Sequence, residues 1–234
     1  MLEFLLDIDQ DIFLFFNGFH SPFWDRARFM FSGRYIWVPM YFVILVATFR
    51  SFNLRIAITW TIAVGLCILF ADQFCATLCR PLFERLRPAN LENPLSQFVH
   101  IVNNYRGGRY GFPSCHAANS FALATILACI WRGSRLKWFI FIWAAVNSYS
   151  RVYLGVHYPG DLLVGGIIGS LIGLLVFFAA RAVVWKMVNG DMKKARPKQR
   201  YLHLNNHTIP YRSIDIAVLT GIITMLAILL ITID

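Results

Sequence analysis

Charge is scarce in this chain. Asp, Glu, Lys and Arg make up only 15% of its 234 residues, against 58% hydrophobic. That balance excludes an ordinary soluble domain, in which about a quarter of residues are charged. The five cysteines (Cys67, Cys75, Cys79, Cys115, Cys129) are odd in number and form no Cys-x-x-Cys pair. Four of them lie in apolar segments. A disulfide framework and a zinc site are therefore not expected. Clustered carboxylates of the kind that hold two metal ions are also missing. The N-terminus carries Glu3, Asp7, Asp9 and Asp11 and no early Lys or Arg, so it does not read as a secretory signal peptide. There is no internal repeat and no nucleic-acid-binding motif. The net charge of +10 is thus better matched to anionic lipid headgroups and the loops of a membrane protein than to nucleic acid.

What the chain does have is long apolar runs, with a mean hydropathy of +0.57. The length suits one membrane domain of about six spans of ~20 residues each. Residues 2–16 read first as an amphipathic helix. Phe4, Leu5, Ile8, Ile12, Phe15 and Phe16 recur at helical spacing, with Glu3, Asp7, Gln10 and Asp11 on the other side. The segment is too charged to span and is expected to lie in the interface plane. Spans are then expected within 25–49, weakly defined, and at about 56–79, 117–131, 136–155, 162–185 and 214–233. The expected architecture is an all-α integral membrane protein: a six-helix transmembrane bundle with an N-terminal interfacial amphipathic helix. As a single domain, 1–234, it divides into the interfacial helix (1–19), a catalytic bundle (25–185), a basic cytoplasmic loop (186–213) and a C-terminal transmembrane helix (214–233). Trp131, Trp138 and Trp185, near span ends, read as an interfacial belt.

Loop charges give an orientation. Arg50, Arg55, Arg132, Arg135, Lys137 and the basic residues of 181–213 fall on one side, 13 of the 22. By the positive-inside rule that side is cytoplasmic. Residues 80–116 and 150–161 then face outward, to the periplasm of a bacterial inner membrane.

Three polar clusters fall on that outward face. Arg80-Pro-Leu-Phe-Glu-Arg-Leu-Arg87-Pro88 follows the second span. Pro113-Ser114-Cys115-His116 opens the third. Ser150-Arg151 through His157 to Asp161 joins the fourth and fifth. The hydropathy-derived topology puts all three together without using the motifs. Ionisable groups at a membrane boundary are costly unless solvated, paired or used. Arg80, Arg87 and Arg151 concentrate guanidinium groups with only Glu84 nearby to balance them, and guanidinium forks match tetrahedral oxyanions. Ser114 and the Cys115 amide, at a helix N-terminus, complete a phosphate cradle. His157, oriented by Asp161 four residues on, can attack phosphorus, and His116 can protonate the leaving oxygen.

The three clusters resemble the tripartite signature of the type 2 phosphatidic acid phosphatase family: Lys-x6-Arg-Pro, Pro-Ser-Gly-His and Ser-Arg-x5-His-x3-Asp. The resemblance covers about residues 70–185. It implies phosphate binding by Arg80, Arg87, Arg151, Ser114 and Cys115. It further implies His116 as general acid, His157 as the residue that becomes phosphohistidine, Asp161 as its support, and no cofactor or metal. Two positions depart from the pattern. Arg80 stands where Lys is usual, and Cys115 where Gly is usual, where a side chain narrows the pocket or strains a positive-φ backbone. Cys115 is not read as a nucleophile, since the Cys-x5-Arg phosphatase loop needs Arg at 121 and Phe121 is there.

The expected function is removal of phosphate from a phosphorylated membrane lipid. Lipid A phosphate ranks slightly ahead of undecaprenyl diphosphate, with phosphatidylglycerol phosphate as a further alternative; oligomeric state is left open. A transporter would show inverted repeats and helices broken near the midplane. A lipid binder without activity would not need two histidines and Asp161. Asp72, inside the second span, is expected to pair with an outer-side cation or to sit hydrated at the interface. Asn119, Ser120 and Asn147 are expected to hydrogen-bond between helices.

Overall fold

The computed structural model describes residues 1–33, 35–131, 133–194 and 211–233. They form α1 (Leu2–Gly18), α2 (Pro22–Phe31), α3 (Val38–Ser51), α4 (Leu54–Gln73), α5 (Arg80–Phe83), α6 (Cys115–Ile130), α7 (Ser134–Tyr153), α8 (Pro159–Lys194) and α9 (Tyr211–Ile231). Among the described residues the only β pairing is an isolated bridge, Leu86 to Tyr110. The all-helical expectation therefore holds. Among the described residues, three helical stretches are long and apolar enough to cross a membrane: Leu54–Phe83, Pro159–Asn189 and Ile214–Ile231. Their outward side chains, including Ile62, Leu69, Leu163, Leu171 and Leu226, are exposed and apolar. α3 and α6 are apolar but shorter.

Helix starts follow the local sequence. Ser21 caps α2 through the Trp24 amide, with Pro22 at the first turn. Asn53 caps α4 through the Ile56 amide, and Ser114 caps α6 through the Ala117 amide. In the 25–49 region, where one weakly defined span is expected with its apolar part from Tyr35 to Phe49, α3 takes up most of the apolar part and starts with Pro39 in its first turn, while α2 is a separate helix before it. α8 continues past Trp185 to Lys194, so the first part of the supposed 186–213 loop is helix. Residues 195–210 of that loop, with Arg34 and Arg132, lie outside the described residues.

α6 is the centre of the bundle. Ala117, Ala118, Ala122, Ala124, Ile126 and Leu127 on it are buried. α8 packs on it more extensively than any other pair of helices. The reason is a stripe of glycines at four-residue spacing. A Cβ at Gly165 or Gly169 would collide with the carbonyl oxygens of Ser114 or Ala118, and one at Gly173 would stand 2.9 Å from the Ala122 oxygen. Small residues at this spacing let two membrane helices meet backbone to backbone. α9 packs on α3, and Gly221 admits Phe139 and Met40 there.

One expectation changes. Trp131 is buried, with its ring edge-on to Phe52 at 5.7 Å, so it is a packing residue and not part of a belt; Trp138 and Trp185 are exposed. In α1, Phe4, Leu5, Ile8, Ile12, Phe15 and Phe16 face outward. Its inner face runs through Asp9, Phe13 and Asn17, of which Phe13 and Asn17 are buried.

Candidate functional site

The three clusters meet at one end of the bundle. The Ser114 amide donates to the Asp161 carbonyl oxygen at 3.0 Å, which ties the second motif to the third through the backbone. Gly165, one turn beyond Asp161, allows the close approach that this bond needs. In the first motif, a π-helical turn at Phe74–Cys79 ends α4 just before Arg80. Such turns re-aim the side chains that follow them and are frequent at functional sites. Residues 85–87 then run antiparallel to 109–111, with the Arg87 amide donating to the Arg109 oxygen at 3.1 Å and the Gly111 amide to the Arg85 oxygen at 2.9 Å.

His157 lies in the short connection between α7 and α8 and is 1% exposed. The connection depends on Gly155, whose φ is +76°. A Cβ there would also stand 2.7 Å from Val99 and 2.9 Å from the His100 oxygen. His157 Nδ1 lies 3.1 Å from Asp161 Oδ2, and its Nε2 lies 2.7 Å from Arg87 Nη1. A guanidinium only donates, so Nε2 is the acceptor. Nδ1 therefore carries the proton and donates it to Asp161. Asp161 is fully buried, and both its oxygens are occupied. Oδ2 also accepts from the Tyr158 amide at 3.0 Å, and Oδ1 accepts from Arg85 Nη1 at 3.0 Å.

Guanidinium groups surround this pair. Arg87 and Arg151 are buried and Arg80 is half-buried. The buried Nε atoms of Arg80, Arg87 and Arg151 have no hydrogen-bond partner among the described residues. A tetrahedral oxyanion supplies acceptors for such donors. Arg87 also donates to the Val156 oxygen at 3.0 Å, and Arg151 donates to Tyr105 Oη at 3.1 Å and to Ser32 Oγ. Burial, then the nearby charges of Arg80 and Arg151, draw the Arg87 guanidinium down to about 10 from its usual range, and it stays charged at neutral pH. Burial, then Arg87, Arg151, Arg80 and His116, hold His157 well below the ordinary imidazole range. Its Nε2 lone pair is therefore available at neutral pH.

His116 is half-buried in the first turn of α6. Its Nε2 lies 3.1 Å from Asn147 Oδ1, and Asn147 Nδ2 donates to Ser120 Oγ at 2.9 Å. With the amide placed this way, Asn147 turns its Oδ1 toward the ring, and His116 Nε2 is the donor in that arrangement. The expected interhelical role of Asn147 and Ser120 is thus met, and Asn147 also orients a candidate catalytic ring. Asn119 donates to Asp72 Oδ1 at 3.1 Å, so Asp72 has an amide partner, whereas pairing with a cation or hydration at the interface was expected. Cys115 is helical and buried, with its Sγ 3.8 Å from the Asp72 oxygen. Its φ is not positive, so the expected strain does not arise.

All eight residues singled out in the sequence come to this one end. Glu84 is exposed; the site's additional carboxylate is Asp9, from α1. Arg85, two residues before Arg87, joins the site as well. In an extended segment that spacing puts two side chains on one face. Nothing near Asp9 in the chain marks it, because its partners are Arg85 and Gly160. Among the described residues no three His, Cys, Asp or Glu side chains gather as metal ligands.

The family model for the PAP2 superfamily matches residues 60–185. A Bacteroides thetaiotaomicron protein named lipid A 4'-phosphatase is 52% identical over 187 residues, 80% of this chain and 83% of that protein. A Porphyromonas gingivalis protein of the same name is 32% identical over 176 residues, 75% of this chain and 74% of that one. The crystal structure of Aquifex aeolicus LpxE aligns with a TM-score of 0.53 at 25% identity, covering 71% of this chain and 92% of that one. With the three motifs assembled at one end of an all-helical bundle, the chain belongs to the PAP2 superfamily, the type 2 phosphatidic acid phosphatases.

Proposed function

We propose that this protein removes the 4'-phosphate of lipid A at the periplasmic face of the inner membrane, through a phosphohistidine. The observation that carries the chemistry is the buried Arg87–His157–Asp161 line, which presents a neutral imidazole lone pair among three guanidinium groups. The choice of lipid rests on the likeness to the Bacteroides protein.

The reaction has two halves. The substrate phosphoryl group takes the Arg87 hydrogen bond now made to His157 Nε2, and Arg80, Arg87 and Arg151 hold its oxygens. Nε2 attacks phosphorus as the bond to the lipid oxygen breaks. His116 gives that oxygen a proton. His157 becomes positive on attack, and Asp161 beside Nδ1 stabilises it. His116 then takes a proton from water, whose oxygen attacks phosphorus, and the P–N bond breaks to release inorganic phosphate. Ser114 and the Cys115 amide, at the α6 N-terminus, assist with phosphate binding. A groove of about 470 Å³ lined by Phe121, Tyr149, Leu162 and Gly166, among others, opens on the bundle flank beside the residue after Asp161. Its apolar walls suit lipid tails that remain in the bilayer.

The bundle is read as six spans in one domain. α1 lies in the interface, its stripe from Phe4 to Phe16 toward lipid. Labelling of Glu92→Cys, but not Lys194→Cys, by an impermeant reagent from outside supports this orientation; the opposite pattern inverts it. The function is tested with purified protein on lipid A bisphosphate, undecaprenyl diphosphate and phosphatidylglycerol phosphate, read by phosphate release and product mass. Fastest release from lipid A, with loss of the 4'-phosphate, is expected. Preference for undecaprenyl diphosphate would replace the substrate, and no release from any of the three would end the reading.

A further inference from the structure

We propose that Arg85 and Asp9 are positioning residues of the catalytic centre, through which α1 holds the His157–Asp161 pair. The proposal rests on the phosphatase reading above.

Arg85 stands between two carboxylates. Its Nη1 lies 3.0 Å from Asp161 Oδ1, and its Nη2 lies 2.8 Å from Asp9 Oδ2. Asp9 Oδ1 accepts from the Gly160 amide at 2.7 Å, one residue before Asp161. Asp9 thus holds both the guanidinium that fixes the Asp161 side chain and the backbone that carries it. Gly160 permits this, since a Cβ there would stand 2.7 Å from Asp9 Oδ2. The Arg85 guanidinium lies over the Tyr158 ring, 3.9 Å from its centroid, and the Tyr158 amide bonds the other Asp161 oxygen.

Asp9 is held in turn by the rest of α1. Phe13 is fully buried, its ring 5.4 Å from that of Tyr158. One turn on, Asn17 donates to the Tyr153 oxygen at 3.0 Å and the His100 oxygen at 3.1 Å, and accepts from the His100 amide at 2.8 Å. The side chains of Arg85 and Asp9 are only 17% and 14% exposed, so solvent screens the pair weakly.

The consequence for the reaction is geometric. Asp161 can hold His157 Nδ1 on Oδ2 only while Oδ1 is satisfied. Without Arg85 a buried carboxylate oxygen loses its partner, and the carboxylate turns or takes a proton. Asp9 keeps the Arg85 guanidinium from joining Arg80, Arg87 and Arg151, whose charges face His157 together with His116.

The two residues carry opposite charge, and this separates positioning from mere support. His157 and Asp161 share one hydrogen bond, so the charges around them set where the pair takes up a proton. It is faced by Arg85 and Arg87 from the segment after α5, Arg80 from α5, Arg151 and Tyr158 around the α7–α8 connection, His116 from α6 and Asp9 from α1. Removing the positive charge of Arg85 makes the pair take up a proton at higher pH. Removing the negative charge of Asp9 does the reverse.

The test compares wild type with Arg85→Gln, Arg85→Lys and Asp9→Asn in the full-length detergent-solubilised protein. It measures kcat, KM and the acid limb of kcat/KM, with thermal unfolding in parallel. Arg85→Gln is expected to lower kcat by about 100-fold with little change in KM, and to move the acid limb up by about one pH unit. Asp9→Asn should lower kcat less and move the limb down. Arg85→Lys should recover part of kcat, since an ammonium reaches one carboxylate better than two. Wild-type kcat in Arg85→Gln would overturn the proposal. So would acid limbs that stay in place while activity falls in step with thermal stability. A wild type that releases no phosphate would overturn the phosphatase reading and this proposal together.

Discussion

The two histidines sit at the same end of the bundle and are held in opposite ways. His157 is sealed from solvent, with Nδ1 on a carboxylate and Nε2 under a guanidinium. His116 is half-buried, and its Nε2 donates to a neutral amide backed by a serine hydroxyl. A carboxylate partner stabilises the ring when it becomes positive, as it does on forming a bond to phosphorus. An amide partner orients the ring and adds no charge, so a proton on it is given up more readily. The same side chain can thus be tuned toward attack in one place and toward proton donation in the other, as carboxylate pairs are in other enzymes.

The largest break in this comparison is removal of the attacking ring. His157→Ala is expected to lower turnover by roughly 10⁴-fold or more, with no phosphoenzyme. Asp161→Asn keeps the ring and loses the charge behind it, so turnover should fall nearly as far with substrate binding largely intact. The check is a rapid, acid-free quench followed by mass spectrometry. Phosphate found on Ser114, Cys115 or His116 would reverse the division of labour.

His116→Ala should cost less, by about 10²- to 10⁴-fold on a lipid phosphate. The loss should shrink on p-nitrophenyl phosphate, whose leaving group needs little protonation. Single-turnover phosphorylation with both substrates measures this. An equal loss on the two would remove His116 from the proton-donating role.

How much of this was legible in the chain follows from the same contrast. His157 and Asp161 are one helical turn apart, and a pairing that close can be read directly. The arginines, Ser114 and His116 were legible because their chemistry is unusual at a membrane boundary and hydropathy placed them on one face. Asn147 is legible as an interhelical hydrogen-bonder, but its partner His116 is not, since it lies 31 positions away. Asp9 is 151 positions from Gly160, and no local pattern predicts that contact. The stripe Gly165, Gly169 and Gly173 was in plain view at helical spacing and was not used. The spacing from Phe4 to Phe16 is legible in the chain, but local spacing does not say which side of α1 meets the protein.

A finer change makes the two histidines more alike. Asn147→Asp puts a carboxylate behind His116, as Asp161 stands behind His157. A general acid works only while protonated, and a carboxylate partner keeps the ring protonated to higher pH. The basic limb of the pH–rate profile should therefore move up. Asn147→Ala removes the tether without adding charge and should lower kcat without that move. If both variants shift the limb alike, the amide is not what distinguishes His116.

The smallest expected effect is that of chelator. Charge on the transferring phosphoryl group has to be neutralised by something, and metal ions are one common means. Here Arg80, Arg87 and Arg151 bring fixed positive charge to the same place, and the buried Nε atoms of all three have no described protein partner. In the proposed mechanism the lone pair comes from His157 and the proton from His116, so no metal-bound water is needed. Phosphate release should then stay unchanged in EDTA, with added Mg2+ making no difference. Vanadate should inhibit in chelator too, because it can adopt the trigonal-bipyramidal geometry of the transferring group among the guanidinium forks. Complete loss in EDTA with recovery on Mg2+ would mean that a cation does what is assigned here to the arginines. The proton held between His157 and Asp161 would then no longer explain which histidine attacks.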